Sequence, residues 1–367
     1  LVIIYGARQV GKTSLCKKLI EQAGPSNSIY YDCENIIDKE LFETHNMEKI
    51  MSSIGEKKLV VIDEAQKVQN IGSILKLLHD YQTHLQIVAT GSSSFDLANK
   101  LSEPMTGRNA KFILYPLSVN ELKQTMNYSQ LQSKFEHLLR FGSYPDIIDE
   151  NEQDARKELA YLASDYLYKD MLALEGIKKP FLISSLLKLL AFNIGSQLSY
   201  NSLANELKTT VQTIEKYIDL LEKSFIIHRL YSFSRNLGNE LKKSFKIYFY
   251  DLGIRNALIQ AFNPIKLRED IGILFENFCV MEKIKQVQET EDYGNLYFWR
   301  TYRPDKGIDL VVEYDGMLFC IEFKWSLKKA GVTKIPVNFL EAYDPDKKGK
   351  VDFKVVHRDN WWEWLSK

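Results

Sequence analysis

Two stretches of this 367-residue chain carry side chains whose types and spacing could do chemistry. The first is Gly6-Ala7-Arg8-Gln9-Val10-Gly11-Lys12-Thr13-Ser14, set between the apolar run "LVIIY" and a helical segment. It fits G-x-x-x-x-G-K-[ST], a loop whose glycines let backbone N–H groups close around phosphate oxygens. The helix N-terminus behind it adds favourable dipole charge. Lys12 is expected to reach the β- and γ-phosphates, and the Thr13 hydroxyl to ligate Mg²⁺. Downstream, the apolar run "LVVID" ends in Asp63-Glu64, which puts two carboxylates at the edge of an α/β sheet where ligands bind. Asp63 is expected to hold the Mg²⁺ shell and Glu64 to polarise the attacking water. A further strand, "LQIVATGSSS", ends in hydroxyls, and Ser92 is placed to sense the γ-phosphate.

The second stretch is "GIDLVVEYDGMLFCIEFKW". A two-residue turn at Asp315-Gly316 pairs Tyr314 with Met317, Glu313 with Leu318 and Val311 with Cys320. The same register sets Asp309 across from Glu322, with Lys324 on the face of Glu322. Two facing carboxylates repel, an arrangement normally selected against. Phe319, Ile321, Phe323 and Trp325 form an apolar stripe on the opposite face and are expected in a core. The Glu322 face starts apolar at Val311, Leu318 and Cys320 and turns polar only at the acidic end. That is the layout of a site; the alternative is a salt-bridge cluster in which Lys324 neutralises the acids.

The elements that must position these groups fall into a recognisable order. Residues 1–118 alternate short apolar strands with helices, as in a parallel sheet buried on both faces, with "AKFILYPLS" as its last strand. Residues 119–195 read as a helical lid and connector. Residues 196–258 give a helix, a short turn, a second helix over Val211–Lys223 and two strands, the winged-helix pattern. In that second helix Thr210, Gln212, Thr213, Lys216 and Tyr217 are expected outside, and Val211, Ile214, Ile218 and Leu221 inside. This stretch holds nine Lys/Arg against six Asp/Glu, a weak footprint for nucleic acid. Residues 259–367 hold the helix "GILFENFCVMEKIK" and the acidic hairpin. Arg300, Arg303 and Lys306 could meet a phosphate backbone or remain solvated, and "WWEWL" is expected to pack or to form an interface rather than to stack bases.

"GARQVGKTS", "VVIDEAQKV", "VATGSSSFDL", "LSEPMTGRNAKFILYPLS" and "RFGSYPDII" together resemble prokaryotic AAA-type ATPases fused to a C-terminal restriction-endonuclease-like domain. The resemblance implies ATP and Mg²⁺ as cofactors. It also suggests Arg108, in "TGR", as an arginine finger across a subunit interface, a plain surface arginine being the alternative. The spacing D-x₁₂-E-x-K matches the endonuclease-like core at Asp309, Glu322 and Lys324. In that chemistry the two carboxylates share a divalent cation that activates water against a phosphodiester, and the lysine stabilises developing charge. The same resemblance suggests Glu276, in "LFENF", as an added metal ligand or a metal-shell acid.

The expected fold is therefore α/β: a P-loop parallel sheet with a helical lid, then a winged helix, then a small α/β restriction-endonuclease-like domain. The expected function is a Mg²⁺-dependent ATPase acting on or near double-stranded DNA, with a metal-dependent nuclease domain. The alternative is a nucleotide switch or signalling ATPase whose silent endonuclease-like domain binds DNA or protein. The 48 basic and 48 acidic residues cancel, so no global field marks a nucleic-acid or membrane partner. Four scattered cysteines and no long apolar run point to a reduced, cytoplasmic protein with no membrane partner. A homo-oligomer is expected. The chain opens at Leu1 inside a strand with no initiator Met, so its front domain is expected to be truncated.

Overall fold

The computed structural model describes residues 1–81, 84–91, 110–166, 180–234, 244–289, 294–302, 305–346 and 348–365. It divides into two compact units, Leu1–Pro116 with Lys223–Ile226, and Leu117–Glu222 with Ile227–Lys367.

Unit 1 is built on five strands: β1 (Val2–Tyr5), β2 (Ser28–Asp32), β3 (Leu59–Asp63), β4 (Gln86–Gly91) and β5 (Ala110–Ile113), in the order β2-β3-β4-β1-β5. Every pairing is parallel. Unbroken apolar runs suit this: β3 is buried along its whole length, which requires cover on both faces. On one face Ile4, Val61 and Val88 pack with Cys16 of the helix Lys12–Ala23. β1 lies between β4 and β5, so the loop leaving its C-terminal end opens beside the ends of β3 and β4. That crevice is where ligands bind open α/β sheets. The last strand is shorter than the run "AKFILYPLS" suggests. β1 ends at Tyr5, so past Ile113 the strand keeps one more bond to it, from the Leu114 N–H to the Tyr5 carbonyl at 2.7 Å, and Pro116 has no N–H to extend a ladder.

Unit 2 begins with helices. Val119–Leu122 and Tyr128–Phe141 each open on a capping box, Ser118 with Glu121 and Asn127 with Gln130. Glu152–Tyr161 and Pro180–Phe192 follow. Its sheet has seven strands: β6 (Gln197–Leu198), β7 (Ile227–Ser232), β8 (Phe245–Phe249), β9 (Asn295–Tyr302), β10 (Asp305–Tyr314), β11 (Met317–Lys324) and β12 (Val351–His357). The order is β12-β11-β10-β9-β7-β8-β6. Strands from residues 196–258 and from residues 259–367 thus share one sheet, joined where Tyr231 and Ser232 of β7 run parallel to Tyr297 and Phe298 of β9.

The helices Tyr200–Glu206 and Val211–Lys223 precede the β7–β8 pair as the pattern suggests. Thr210, Gln212 and Lys216 are exposed, but Tyr217 is buried, a correction to its expected place outside. It falls on the same helical face as Ile214, Ile218 and Leu221, and a tyrosine's ring makes it as good a core residue as they are. The aromatic C-terminus packs. Trp361 stacks on Phe135 with centroids 4.4 Å apart, and Trp364 meets Phe323 edge-on. The four cysteines are free and buried. No helix among the described residues is long and apolar enough to cross a membrane.

Candidate nucleotide site and a second acidic centre

The loop after β1 turns sharply into its helix, with Gln9 at φ 58° and Gly11 at φ 100°. The second value lies where a side chain is strained, which fits glycine. Lys12 is buried and donates to the carbonyls of Gly6 (3.0 Å) and Ala7 (2.7 Å). Thr13, at the start of the helix, donates through Oγ1 to Asp63 Oδ2 at 2.6 Å. The structure therefore brings the loop of residues 6–14 and the end of β3 together, as the motif spacing implies.

Asp63 is the hub. Oδ2 also accepts from the Tyr30 hydroxyl at 2.7 Å, while Oδ1 accepts from the Thr90 hydroxyl and from the Glu64 N–H at 3.2 Å. Burial alone would raise this carboxyl; the hydroxyls of Thr13, Thr90 and Tyr30 outweigh it and hold Asp63 below its ordinary range. Glu64 occupies a left-handed conformation at φ 50°, uncommon outside glycine and typical of residues whose surroundings fix them. Its N–H is shared with Thr90 Oγ1 at 3.1 Å, and its carboxylate accepts from Gln66 Nε2. Burial raises the Glu64 carboxyl, with Lys12 and Gln66 pulling it partway back. A carboxylate shifted up in this way is a better proton acceptor.

Three partners here escape a reading of the motifs alone. Thr90, near the end of β4, donates to Asp63; Ser92, expected to sense the γ-phosphate, and Arg108 both lie outside the described residues. Tyr30 and Gln66 orient the two acids. Thr90 had a visible signal, a lone hydroxyl inside "QIVATG"; Tyr30 had none beyond its position in β2. Tyr30→Phe is expected to lower turnover about fivefold, the worth of one hydrogen bond of about 1 kcal/mol, with ATP affinity unchanged. Steady-state phosphate release beside a nucleotide titration checks this; a wild-type rate would make Tyr30 mere packing.

The second centre belongs to unit 2. The β10–β11 ladder has the register read from the Asp-Gly turn, Tyr314↔Met317 through Leu310↔Ile321. On the other edge of β10 the ladder to β9 shifts between Ile308 and Val311. Bulges of this kind re-aim a side chain. Asp309 sits there, and its Oδ2 accepts the Phe323 N–H at 3.1 Å. Glu276, from the helix Ile271–Glu289, and Glu322 are buried beside it. Lys324 Nζ bonds Glu322 Oε2 and lies 3.5 Å from Asp309 Oδ2. Burial and the Asp309 charge push Glu322 up to about 7 against the pull of Lys324. The apolar stripe is less complete than expected. Ile321 and Phe323 are buried, but Phe319 is 36% exposed, near the turn end of the hairpin.

A group that the hairpin does not contain completes this cluster. Lys246 of β8 reaches in, with Nζ 2.8 Å from Glu276 Oε1 and 3.4 Å from Asp309 Oδ1. Tyr248, two residues on and so on the same face, donates to Glu276 Oε1 at 2.7 Å. Arg300 and Lys306 are exposed and Arg303 lies outside the described residues.

A parallel sheet with a phosphate loop at one strand end and an acid pair at the end of the strand two places away defines unit 1 as a P-loop nucleotide-binding fold. Comparison with known families agrees: residues 1–123 match the family described as "AAA domain". Residues 132–265 match "Domain of unknown function (DUF8612)", and residues 271–360 match "Domain of unknown function (DUF4143)". An uncharacterized protein of Mycobacterium tuberculosis is 27% identical over 329 residues, covering 88% of this chain and 70% of its own length. One from Methanocaldococcus jannaschii is 25% identical over 396 residues, covering 97% of this chain and 72% of its own. A solved structure of C. elegans PCH-2 aligns with 59% of this chain and 61% of its own at 17% identity, with a TM-score of 0.23.

Proposed function

We propose that the chain is a Mg²⁺-dependent ATPase of the AAA type that works on or near DNA. The observation that carries this reading is the array Thr13–Asp63–Thr90 closed across the strand ends, with Lys12 and Glu64 beside it. A hydroxyl and a carboxylate held below its ordinary range are hard oxygen donors suited to Mg²⁺. Mg²⁺ bound with ATP would offset the phosphate charge. Thr13 and Asp63 would hold it directly and through its water shell. Lys12 would exchange the Gly6 and Ala7 carbonyls for phosphate oxygens, and Glu64 would take a proton from the attacking water. Arg108, supplied by a neighbouring copy, would meet the developing charge.

For the DNA part, the support is the helix pair followed by β7 and β8, in winged-helix order, with Thr210, Gln212 and Lys216 exposed on it. The D-x₁₂-E-x-K hairpin supports a restriction-endonuclease-like fold for the C-terminal part, in which the resemblance assigns Asp309, Glu322, Lys324 and Glu276 to a catalytic and metal set, whether active or silent.

Phosphate release by the full chain, run beside duplex DNA binding over a salt series, tests the reading. Expected are Mg²⁺-dependent turnover, reduced by at least about 100-fold in Lys12→Ala, and a DNA affinity that falls steeply with salt. No turnover would end the ATPase assignment. Turnover without DNA affinity at low salt would leave a signalling ATPase.

A further inference from the structure

The hairpin chemistry implied by resemblance needs a divalent cation between Asp309 and Glu322, with Glu276 near it. Four of the six carboxylate oxygens that such an ion could use are already engaged. Asp309 Oδ1 faces Lys246 Nζ, and Asp309 Oδ2 faces both the Phe323 N–H and Lys324 Nζ. Glu276 Oε1 accepts from Lys246 and from Tyr248, and Glu322 Oε2 accepts from Lys324. Among the described residues no group of three or more His, Cys, Asp or Glu side chains is placed to hold a metal ion.

Charge says the same. Three carboxylates meet two ammonium groups, so the cluster is already within one charge of neutral. A divalent ion would overshoot and would sit against two cations at a few ångströms, with little water between them to screen the repulsion.

Lys246 cannot easily make way. Its backbone is held in a central strand, opposite Leu230 of β7 on one side and Gln197 of β6 on the other. Its side chain is only 7% exposed, and its ammonium lies over the Phe298 ring, 5.6 Å from the centroid. A swing into solvent would leave Glu276 buried with Tyr248 alone.

We infer that Lys246 is the built-in counter-cation of this centre and occupies the place that the resemblance assigns to a metal. The cluster is then a metal-independent polar lock rather than a hydrolytic centre. It fastens β8 to the helix Ile271–Glu289 and to β10, so the β7–β8 pair and the C-terminal strands hold together by charge as well as by the sheet. Of the two roles considered for the hairpin, the silent one follows.

Mn²⁺ binding to the nucleotide-free full chain, counted by electron paramagnetic resonance, decides the matter without involving ATP. Wild type and Glu322→Gln are expected to bind the same number of ions. Lys246→Met, which keeps the stem's volume and removes the charge, is expected to gain about one Mn²⁺ per chain, lost again in Lys246→Met/Glu322→Gln. Thermal unfolding should show Mn²⁺ stabilising the Lys246→Met chain only. A wild-type ion that disappears in Glu322→Gln or Asp309→Asn overturns the inference, as does a folded Lys246→Met chain that gains none. Should Lys246→Met fail to fold, the comparison of wild type with Glu322→Gln and Asp309→Asn still decides.

Discussion

Glu64→Gln is expected to bind ATP as tightly as the wild type and to turn it over about 10²- to 10⁴-fold more slowly, the span that a positioned general base contributes. The substitution is nearly isosteric and leaves undisturbed the bonds from the Glu64 N–H to Asp63 and Thr90, because the backbone makes them. The amide oxygen can still accept from Gln66. What goes is the basic oxygen. Binding should survive because the groups proposed to supply it, Lys12, Thr13 and Asp63, are untouched. The same residue is expected to set the acid side of the pH profile. A base works only when deprotonated, and burial raises Glu64, so turnover should begin to fall at a higher pH than an ordinary glutamate would dictate. Nucleotide affinity measured with a fluorescent ATP analogue, beside phosphate release from pH 5 to 8, checks both statements. A Glu64→Gln chain within threefold of the wild-type rate would remove Glu64 from the reaction.

Much of both centres could be read from the chain because local rules set their geometry. The phosphate loop is one continuous stretch, and Asp63-Glu64 close an apolar run whose only comfortable place is inside a parallel sheet. The hairpin register was legible from Tyr314↔Met317 to Leu310↔Ile321, since an Asp-Gly turn fixes register, while at Asp309 the irregularity in the β9–β10 ladder takes over. Lys246 was not. It lies in "FKIYF", where alternation alone gives a lysine one of two faces and nothing says that one of them is a buried cluster. That depends on β7 pairing with β9, two strands far apart in sequence, for which no local rule exists. Phe319 shows the converse. The stripe rule puts it in a core, but it sits near the turn end of the hairpin and is partly exposed. Thr90 carries no motif of its own, because one threonine inside a strand reads as β-propensity.

"RFGSYPDII", which reads at first as a break between helices, has the largest consequence for stability. Gly142 ends the helix Tyr128–Phe141 at φ 79°, a conformation that costs any other residue about 1 kcal/mol or more. The space is closed as well. A Cβ on Gly142 would lie 2.1 Å from Asp251 Oδ1 and 2.2 Å from Oδ2. A flexible carboxylate could step aside, but this one is held. Asp251 Oδ2 accepts the Ser143 N–H at 2.7 Å, and Oδ1 accepts the Ile254 N–H at 3.1 Å, capping the helix Leu252–Leu258. The group is buried, and that burial pushes its carboxyl up even with those N–H donors pulling it down. Moving it forfeits the cap, about 1 kcal/mol, and orphans a buried N–H, a further 1–3 kcal/mol by rough measure. Gly142→Ala should therefore destabilise unit 2 by about 3–5 kcal/mol, among the larger effects a single methyl can have. Urea unfolding followed by tryptophan emission reads this directly, because Trp325, Trp361, Trp362 and Trp364 all lie in unit 2. Asp251→Ala relieves the clash while losing both bonds, so adding Gly142→Ala to it should cost little more than the backbone strain. A Gly142→Ala chain within about 1 kcal/mol of wild type would mean that Asp251 yields, and that the junction is set by the helix ends alone.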